Sequence, residues 1–391
     1  MTTNPDRWLL PEGIEEILPD EARRLEALRR RLLDVFSTWG YELVMPPLIE
    51  YLDALLTGTG SDMDLQTFKL TDQLTGRMMG VRADMTPQAA RIDAHYLKRN
   101  QPARLCYVGS VLRTRPDVFA GSRELLQLGA ELFGHPGPES DIEVIRLMLA
   151  TLAAAGVRNP HVDLGHVGVF RGLAAAAGIP VAIEEELFEA LQRKARQTVE
   201  QLLAGVEAPA ATKAMLPALL ELSGGADTLT RARSVLKAAP AAVLDSLNNL
   251  EAVAAALTRD GQTVNFDLTE LRGYRYYTGV VFSALVAGQG QAVAKGGRYD
   301  GIGRAFGRAR AATGFSTDLR RLSRLNTNDE RMSAILAPAE DSVELMQAIT
   351  RLRASGERVV QNLPGAVATA RELGCDRVLK LENNQWTVKP V

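Results

Sequence analysis

The chain has 391 residues, 46% hydrophobic and 24% charged, the balance of a soluble globular chain with a sizeable core in two or three domains, which excludes a disordered or fibrous class. Its 45 Lys and Arg are nearly cancelled by 47 Asp and Glu, which excludes a global electrostatic pull toward nucleic acid or anionic membrane while still allowing a local patch. Cys106 and Cys375 are too few for a disulfide framework, the N-terminus lacks an apolar signal core and no segment reaches transmembrane length, so a cytoplasmic protein without membrane contact is expected.

Pro19 and Asp20 open a helix in which Leu25, Leu28, Leu32, Val35, Phe36 and Trp39 recur at helical spacing, and Gly40 stops it. YELVMPPLIEY reads as a strand ending in a double proline, and FKLTDQLTGRMMGVRAD as a hairpin turning between Asp72 and Gly76. Thr86 before Pro87 is expected to cap a helix running through His95. ARLCYVGSVLR and RELLQLGAELF are two strands joined by a longer loop, and in the next helix Ser140 and Glu143 have the spacing of a capping box. In HVDLGHVGVF, His161 and His166 sit five apart and so on opposite faces of a strand, which favours structural roles over a metal site.

From about 171 to 260 the composition shifts to Ala, Leu, Glu and Arg with helical periodicity, an inserted helical subdomain. Strands return at TVNFDL, RYYTGVVFSALV and QAVAKGGRYDG, where GGRYDG predicts a tight glycine turn presenting Arg298 and Tyr299. TGFSTDLRRL reads as a strand entering a helix with Asp318 among the capping candidates. A polar linker at 326–331 separates the main body, 1–325, from a small α/β domain at 331–391, where SAILAP, SVELMQAITRLRASG, ERVVQNLP, GAVATARELGC and DRVLKLENNQWTVKP alternate strand and helix. Strands grouped in hairpins with helices between the groups predict an α+β fold on an antiparallel sheet. Gly301, Gly303 and Gly307 lack dinucleotide-binding spacing and context.

Several stretches carry candidate chemistry. Alternation along 123–133 puts Leu126, Leu128, Ala130 and Leu132 on a core face, with Gln127 and Glu131 on the other, flanking the gap left by Gly129. A carboxylate and an amide facing one gap suit a small ligand carrying an amine or a protonated ring, although a solvated sheet face fits this strand equally well. In LRGYRYYTG, Arg272 suits a ligand carboxylate, and alternation sends Tyr276 and Tyr277 to opposite faces. RADMT ends a strand with Asp84 and places the Thr86 hydroxyl at a helix start. Together these groups fit recognition of a free amino acid.

With YELVMPP, SVLRTRP, RELLQLGAELFG, LRGYRYYTG, GGRYDG and GFSTDLRRL in place, the chain resembles a class II aminoacyl-tRNA synthetase core, specifically the histidyl-tRNA synthetase family, over most of residues 7–325. The resemblance implies an antiparallel sheet flanked by helices. It also implies a histidine-binding pocket at Asp84, Thr86, Gln127, Glu131, Arg272, Tyr277 and Tyr299, joined by Tyr276 and the motif 2 arginine, Arg113. Asp84, Thr86 and Gln127 would hold the α-amino group, and Glu131 and Tyr277 would address the imidazole. Asp84 stands where the family has Glu.

The nucleotide half departs from the family. Arg115 replaces an acid, Gly121 an arginine, Asp318 a glycine, Arg320 a glutamate and Arg275 an aspartate, while Arg123 and Arg321 are kept. Adenylation needs Mg²⁺ and arginines on the triphosphate, and a carboxylate at 318 would repel it by about 1 kcal/mol or more. No catalytic residue, metal or cofactor is expected. A synthetase-like chain keeping only the amino-acid half is similar to the regulatory subunits of ATP phosphoribosyltransferase, paralogues that partner the short catalytic subunit at the first step of histidine biosynthesis. That likeness implies a non-catalytic protein that activates its partner and lowers its activity on binding L-histidine. It further implies a dimer formed through the motif 1 region within a larger hetero-oligomer. The C-terminal region resembles a shortened anticodon-binding domain without a basic stripe, so tRNA binding is not expected. An active histidyl-tRNA synthetase and a stand-alone histidine sensor stay open as alternatives.

Overall fold

Leu25, Leu28, Leu32 and Phe36 form the buried stripe of α1 (Pro19–Thr38), and Gly40, at φ +79°, turns the chain out of it. The computed structural model describes residues 8–58, 61–116, 121–270, 273, 276–326, 333–366 and 368–391 and divides into two compact units, 1–327 and 328–391. After α1 come β1 (Glu42–Leu43), β2 (Ile49–Tyr51), α2 (Leu52–Leu56), α3 (Ser61–Gln66) and the hairpin β3 (Phe68–Thr71) and β4 (Met78–Val81). Strands β2, β4 and β3 make a small antiparallel sheet. Helix α4 (Thr86–Arg91) continues as a π turn over Ile92–Leu97. Its N-cap is Met85, without a side-chain cap bond; Thr86 is the first helical residue, and its N–H is met by the Asp84 carboxylate at 2.9 Å.

The main sheet is built on the hairpin β5 (Ala103–Leu112) and β6 (Glu124–Phe133). Next come α5 (Pro138–Ala154), β7 (His161–His166), α6 (Val167–Ala176), α7 (Val181–Gln192), α8 (Arg196–Ala204), α9 (Ala210–Ala218), β8 (Ser223–Gly224), α10 (Asp227–Val235), α11 (Ala241–Arg259) and β9 (Val264–Asp267). The unit closes with β10 (Val280–Leu285), β11 (Ala294–Arg298), α12 (Ile302–Ala305), β12 (Ala312–Asp318) and α13 (Leu319–Leu325). The nine strands run β1-β5-β6-β12-β11-β10-β7-β9-β8. The sheet is mixed rather than purely antiparallel: β1 with β5 and β7 with β9 are parallel pairs. Both pairs are joined by long connections that contain helices, which return the chain to the same end of the sheet, as parallel pairing requires.

Leu128, Ala130 and Leu132 of β6 pack with α1, α5 and the inserted helices in the largest core cluster. The opposite face of the sheet carries two smaller clusters, one around Tyr299, Leu105 and Phe133 and one around Met85, Ala89, Tyr107 and Val111. The expected capping box of α5 does not form. The N-cap is Gly137; Ser140 Oγ bonds the carbonyls of His135 and Gly137, and Glu143 takes a two-point contact from Arg104, at 2.7 Å each. A fixed arginine partner outcompetes a backbone N–H for that carboxylate. His161 is exposed, whereas His166 caps α6 by accepting from Gly168 N–H.

In the second unit β13 (Ile335–Ala337), β14 (Val359–Gln361), β15 (Arg377–Glu382) and β16 (Gln385–Pro390) form a sheet of order β14-β13-β15-β16, with α14 (Val343–Ala354) capped by Ser342. GAVATARELGC does not form the expected helix. The Thr369 side chain and N–H bond Glu372 across a single turn, and Gly374 at φ +66° ends it. Residues 327–331 of the expected linker lie outside the described residues.

Candidate functional site

Pairing decides what stands around Glu131. Its β12 partner is Gly314, and two residues earlier Gly129 faces Tyr107 of β5. A Cβ at 314 would lie 1.4 Å from Glu131 Oε2, and one at 129 would lie 2.5 Å from Tyr107 Oη, so only glycine leaves room for either side chain. The gap expected beside Gly129 is therefore filled, by a tyrosine that sequence reasoning passed over. Its signal is the pairing of a large polar ring with a glycine, and that becomes visible only once the register is known.

Glu131 is 1% exposed. Tyr107 donates to its Oε1 at 2.8 Å and Tyr299 to its Oε2. Desolvation pushes its carboxyl up to about 8 against the pull of the two phenols, with Asp84 adding a smaller upward push. Burial raises the phenols of Tyr107, Tyr276 and Tyr299 well above their ordinary value, so they remain donors. Asp84 Oδ1 accepts from Thr86 N–H at 2.9 Å and from Gln127 Nε2 at 2.8 Å, while Gln127 Oε1 accepts from Met85 N–H at 2.9 Å. The Gln127 amide is thus engaged on both sides, and the residue stands behind Asp84 rather than on the cavity wall.

Asp84, Thr86, Arg113, Glu131, Tyr276, Tyr277 and Tyr299 line one cavity of about 650 Å³, which brings together seven of the nine expected residues. Arg272 lies outside the described residues, as does Arg275. Tyr276 and Tyr277 do not diverge onto two sheet faces, because they precede β10 in a turn. Gly273, at φ +74°, accepts from both their N–H groups at 2.7 and 2.8 Å, and only a residue tolerant of that φ holds the turn. Tyr276 stacks on Tyr299 at 4.9 Å and meets Tyr277 edge-on at 5.2 Å. Tyr276 Oη is buried and has no hydrogen-bond partner among the described residues. The outer wall comes from the inserted helices, with Glu184, Glu185, Phe188 and Glu189 of α7, and from Lys295.

GGRYDG turns later than expected: Gly296, Gly297 and Arg298 belong to β11, and the chain turns only at Asp300 and Gly301. Gly296 and Gly297 are held there because a Cβ would meet Gly314 O at 2.1 Å and Val280 O at 2.7 Å. Arg298 points away from the cavity into a buried pair with Asp141 at 3.0 Å. This leaves Tyr299 as the one side chain of that motif on the cavity wall.

In the nucleotide half, the departing Asp318 and Arg320 and the kept Arg321 and Arg123 all make structural contacts. Asp318 caps α13, accepting from Arg320 N–H at 3.1 Å and from Leu126 N–H at 3.2 Å. Arg320 is 4% exposed and pairs with Glu15 at 3.2 Å. Arg321 donates to the carbonyls of Gln291 and Ala292, and Arg123 donates to those of Arg113 and Glu12. Asp318→Ala is expected to cost about 1 kcal/mol in denaturant unfolding; an unchanged midpoint would show the cap to be idle. Among the described residues no group of His, Cys, Asp and Glu is placed to hold a metal ion, and no helix is long and apolar enough to cross a membrane.

Residues 13–322 match the histidyl-tRNA synthetase family and residues 332–389 the ATP phosphoribosyltransferase subunit HisZ C-terminal domain. The ATP phosphoribosyltransferase regulatory subunit of Thioalkalivibrio sulfidiphilus is 56% identical over 391 residues, covering 99% of each chain. That of Pseudomonas aeruginosa PAO1 is 57% identical over 391 residues, covering 99% of this chain and 98% of its own. The chain belongs to the ATP phosphoribosyltransferase regulatory subunit family. As a regulatory subunit it is non-catalytic. The solved ATP phosphoribosyltransferase regulatory subunit/histidyl-tRNA synthetase of Bacillus halodurans shares the class II fold at a TM-score of 0.83 and 30% identity, covering 95% of this chain and 97% of that one. Histidyl-tRNA synthetase from Nostoc sp. PCC 7120 is similar in fold alone, at a TM-score of 0.79 and 19% identity over 98% of this chain and 94% of that one.

Proposed function

We propose that the cavity of this regulatory subunit binds free L-histidine and that occupancy lowers the activity of a short-form ATP phosphoribosyltransferase catalytic subunit. The observation that carries this reading is Glu131, a buried carboxylate at the cavity wall that accepts from two phenols and still holds its proton more tightly than usual. Such a group is poised to pair with an imidazole, a ring that gains its charge near neutral pH. Asp84 and Thr86 supply oxygen acceptors for an ammonium, and Arg113 on the same wall suits a carboxylate. Gln127 serves this reading as the residue that aims Asp84. A dimer formed through the motif 1 region is supported by the exposed Leu43, Met45, Leu48 and Ile49 around the edge strand β1. We further infer that the subunit acts within a hetero-oligomer and binds no tRNA.

Proton counting sets the pH dependence of binding. Free histidine loses its ring proton near about 6.5, the empty site holds a proton on Glu131 up to about 8, and the complex holds one proton between ring and carboxylate. Between those two values the separated partners also hold one proton, so affinity is flat. Above the upper value a proton must be taken up, and below the lower one a proton must be released, and affinity falls toward about tenfold per pH unit in either direction. Calorimetric titration with L-histidine from acid to alkaline pH checks this. A decline that already begins near the ring's own value would mean that Glu131 is an ordinary carboxylate and that the reading fails.

A further inference from the structure

We propose that Tyr107 is a positioning residue that sets the hydrogen-bond polarity of the pocket, turning Thr86 into an acceptor for the ligand's ammonium while holding Glu131 for its ring. The proposal rests on the histidine reading and adds a residue outside the cavity wall. Tyr107 is fully buried, enclosed by Met85, Ala89 and Val111 and set in the space left by Gly129. Its hydroxyl lies 2.8 Å from Glu131 Oε1 and 2.9 Å from Thr86 Oγ1. It therefore joins the two ends of the site.

A phenol has a single hydrogen to give. Facing a bound cationic ring, Glu131 is anionic and only accepts, so Tyr107 donates to it and the bond to Thr86 must be donated by Thr86. The threonine's one hydrogen is then spent, and only lone pairs remain toward the cavity. An ammonium, which only donates, fits that surface. A neutral hydroxyl or amide in the same place would have no hydrogen bond from Thr86 to accept. Because the chain runs Thr86 to Tyr107 to Glu131, charge at the ring end polarises the bond at the amine end. Amine and ring are thus read together. The other titratable groups facing Glu131 are Tyr299 after β11, Tyr276 and Tyr277 before β10 and Asp84 before α4, and each keeps its own contacts when Tyr107 changes.

The test compares L-histidine with its deamino analogue, imidazole-4-propionate, by calorimetry on the purified full chain. In Tyr107→Phe, histidine affinity is expected to fall about tenfold or more, the analogue to lose less, and the preference for the amine to shrink accordingly. The alkaline edge of the affinity plateau is expected to move to higher pH, because Glu131 keeps one donor in place of two. Equal losses for both ligands with the edge unmoved would reduce Tyr107 to packing and overturn the assignment, as would unchanged affinities. Thr86→Val reads the same link without emptying the core and should also erase most of the amine preference; a retained preference overturns the proposal. The double variant should lose no more preference than either single one, whereas additive losses would show that the two residues act separately. No histidine binding by the wild type would overturn the pocket reading itself, while binding with an intact preference in the variants overturns Tyr107 alone.

Discussion

Glu131→Gln is expected to lower histidine affinity at least about 100-fold and to make the empty protein more stable in alkali. The affinity loss follows from replacing an anion by a neutral amide opposite a cationic ring in a dry site, where a charge-assisted bond contributes about 1.5–3 kcal/mol and an unpaired buried charge costs more. The stability gain has the opposite origin. An unfolded glutamate ionises near its ordinary 4.5, but the folded one holds its proton up to about 8. Below the lower value both states are protonated and the group contributes nothing. As pH rises between the two values the unfolded state alone sheds the proton, so wild-type stability falls, and above the upper value the loss levels off at about 5 kcal/mol. Glutamine carries no such charge. Denaturant unfolding at pH 5 and pH 9 should therefore show the two proteins nearly equal in acid and the variant ahead in alkali. In the reconstituted complex with the catalytic subunit, histidine should slow the wild type and leave the variant unaffected. An equal pH slope for both proteins, or an undiminished response to histidine, would show Glu131 to be misassigned.

Arg298→Ala carries the second large effect, on stability first and on the site second. The guanidinium is 7% exposed and Asp141 is fully buried. Arg298 donates to Asp141 Oδ2 from Nε at 3.1 Å and from Nη2 at 3.0 Å, to Ser140 Oγ at 2.7 Å, and to the carbonyls of Gly137 and His135 at 3.0 and 3.2 Å. Removing it leaves a buried carboxylate whose ionisation desolvation already opposes. Breaking such a pair costs about 3–5 kcal/mol, which denaturant unfolding of the full chain would register. The double replacement Arg298→Met with Asp141→Leu should recover most of that loss, since no unpaired charge remains. Tyr299 follows Arg298 directly and owes its aim at Glu131 to this anchor, so histidine affinity should fall in the single variant. A cost below about 1 kcal/mol would mean that water reaches the pair.

Helices and strands with a strong period were legible in the sequence, α1 from its leucine stripe and the β5–β6 hairpin from its alternation. The core face of β6 was legible too, because a run of alternate apolar residues has one physical use. The likeness to histidyl-tRNA synthetases also pointed to the side chains that the fold gathers on one cavity, Asp84, Thr86, Arg113, Glu131, Tyr276, Tyr277 and Tyr299. Local reading failed where two elements compete for one group. Glu143 looked like half of a capping box and is claimed by Arg104. The glycine pair of GGRYDG looked like a turn and is held as a strand by backbone on both sides, so that the chain turns only at Asp300 and Gly301. Tyr276 and Tyr277 looked like strand neighbours and are turned into one cavity by Gly273.

By itself the sequence determined the order of most elements and which polar side chains were candidates for a ligand, and its likeness to the synthetases marked the positions where the nucleotide half departs from that family. Tertiary structure alone decided that Tyr107 fills the space beside Gly129, that Gln127 stands behind Asp84, and that Glu131 lies dry between two phenols. The reason is that these outcomes depend on strand register. Register is a property of pairs of segments far apart in the chain, and a shift of one residue would have turned every one of these side chains to the other face.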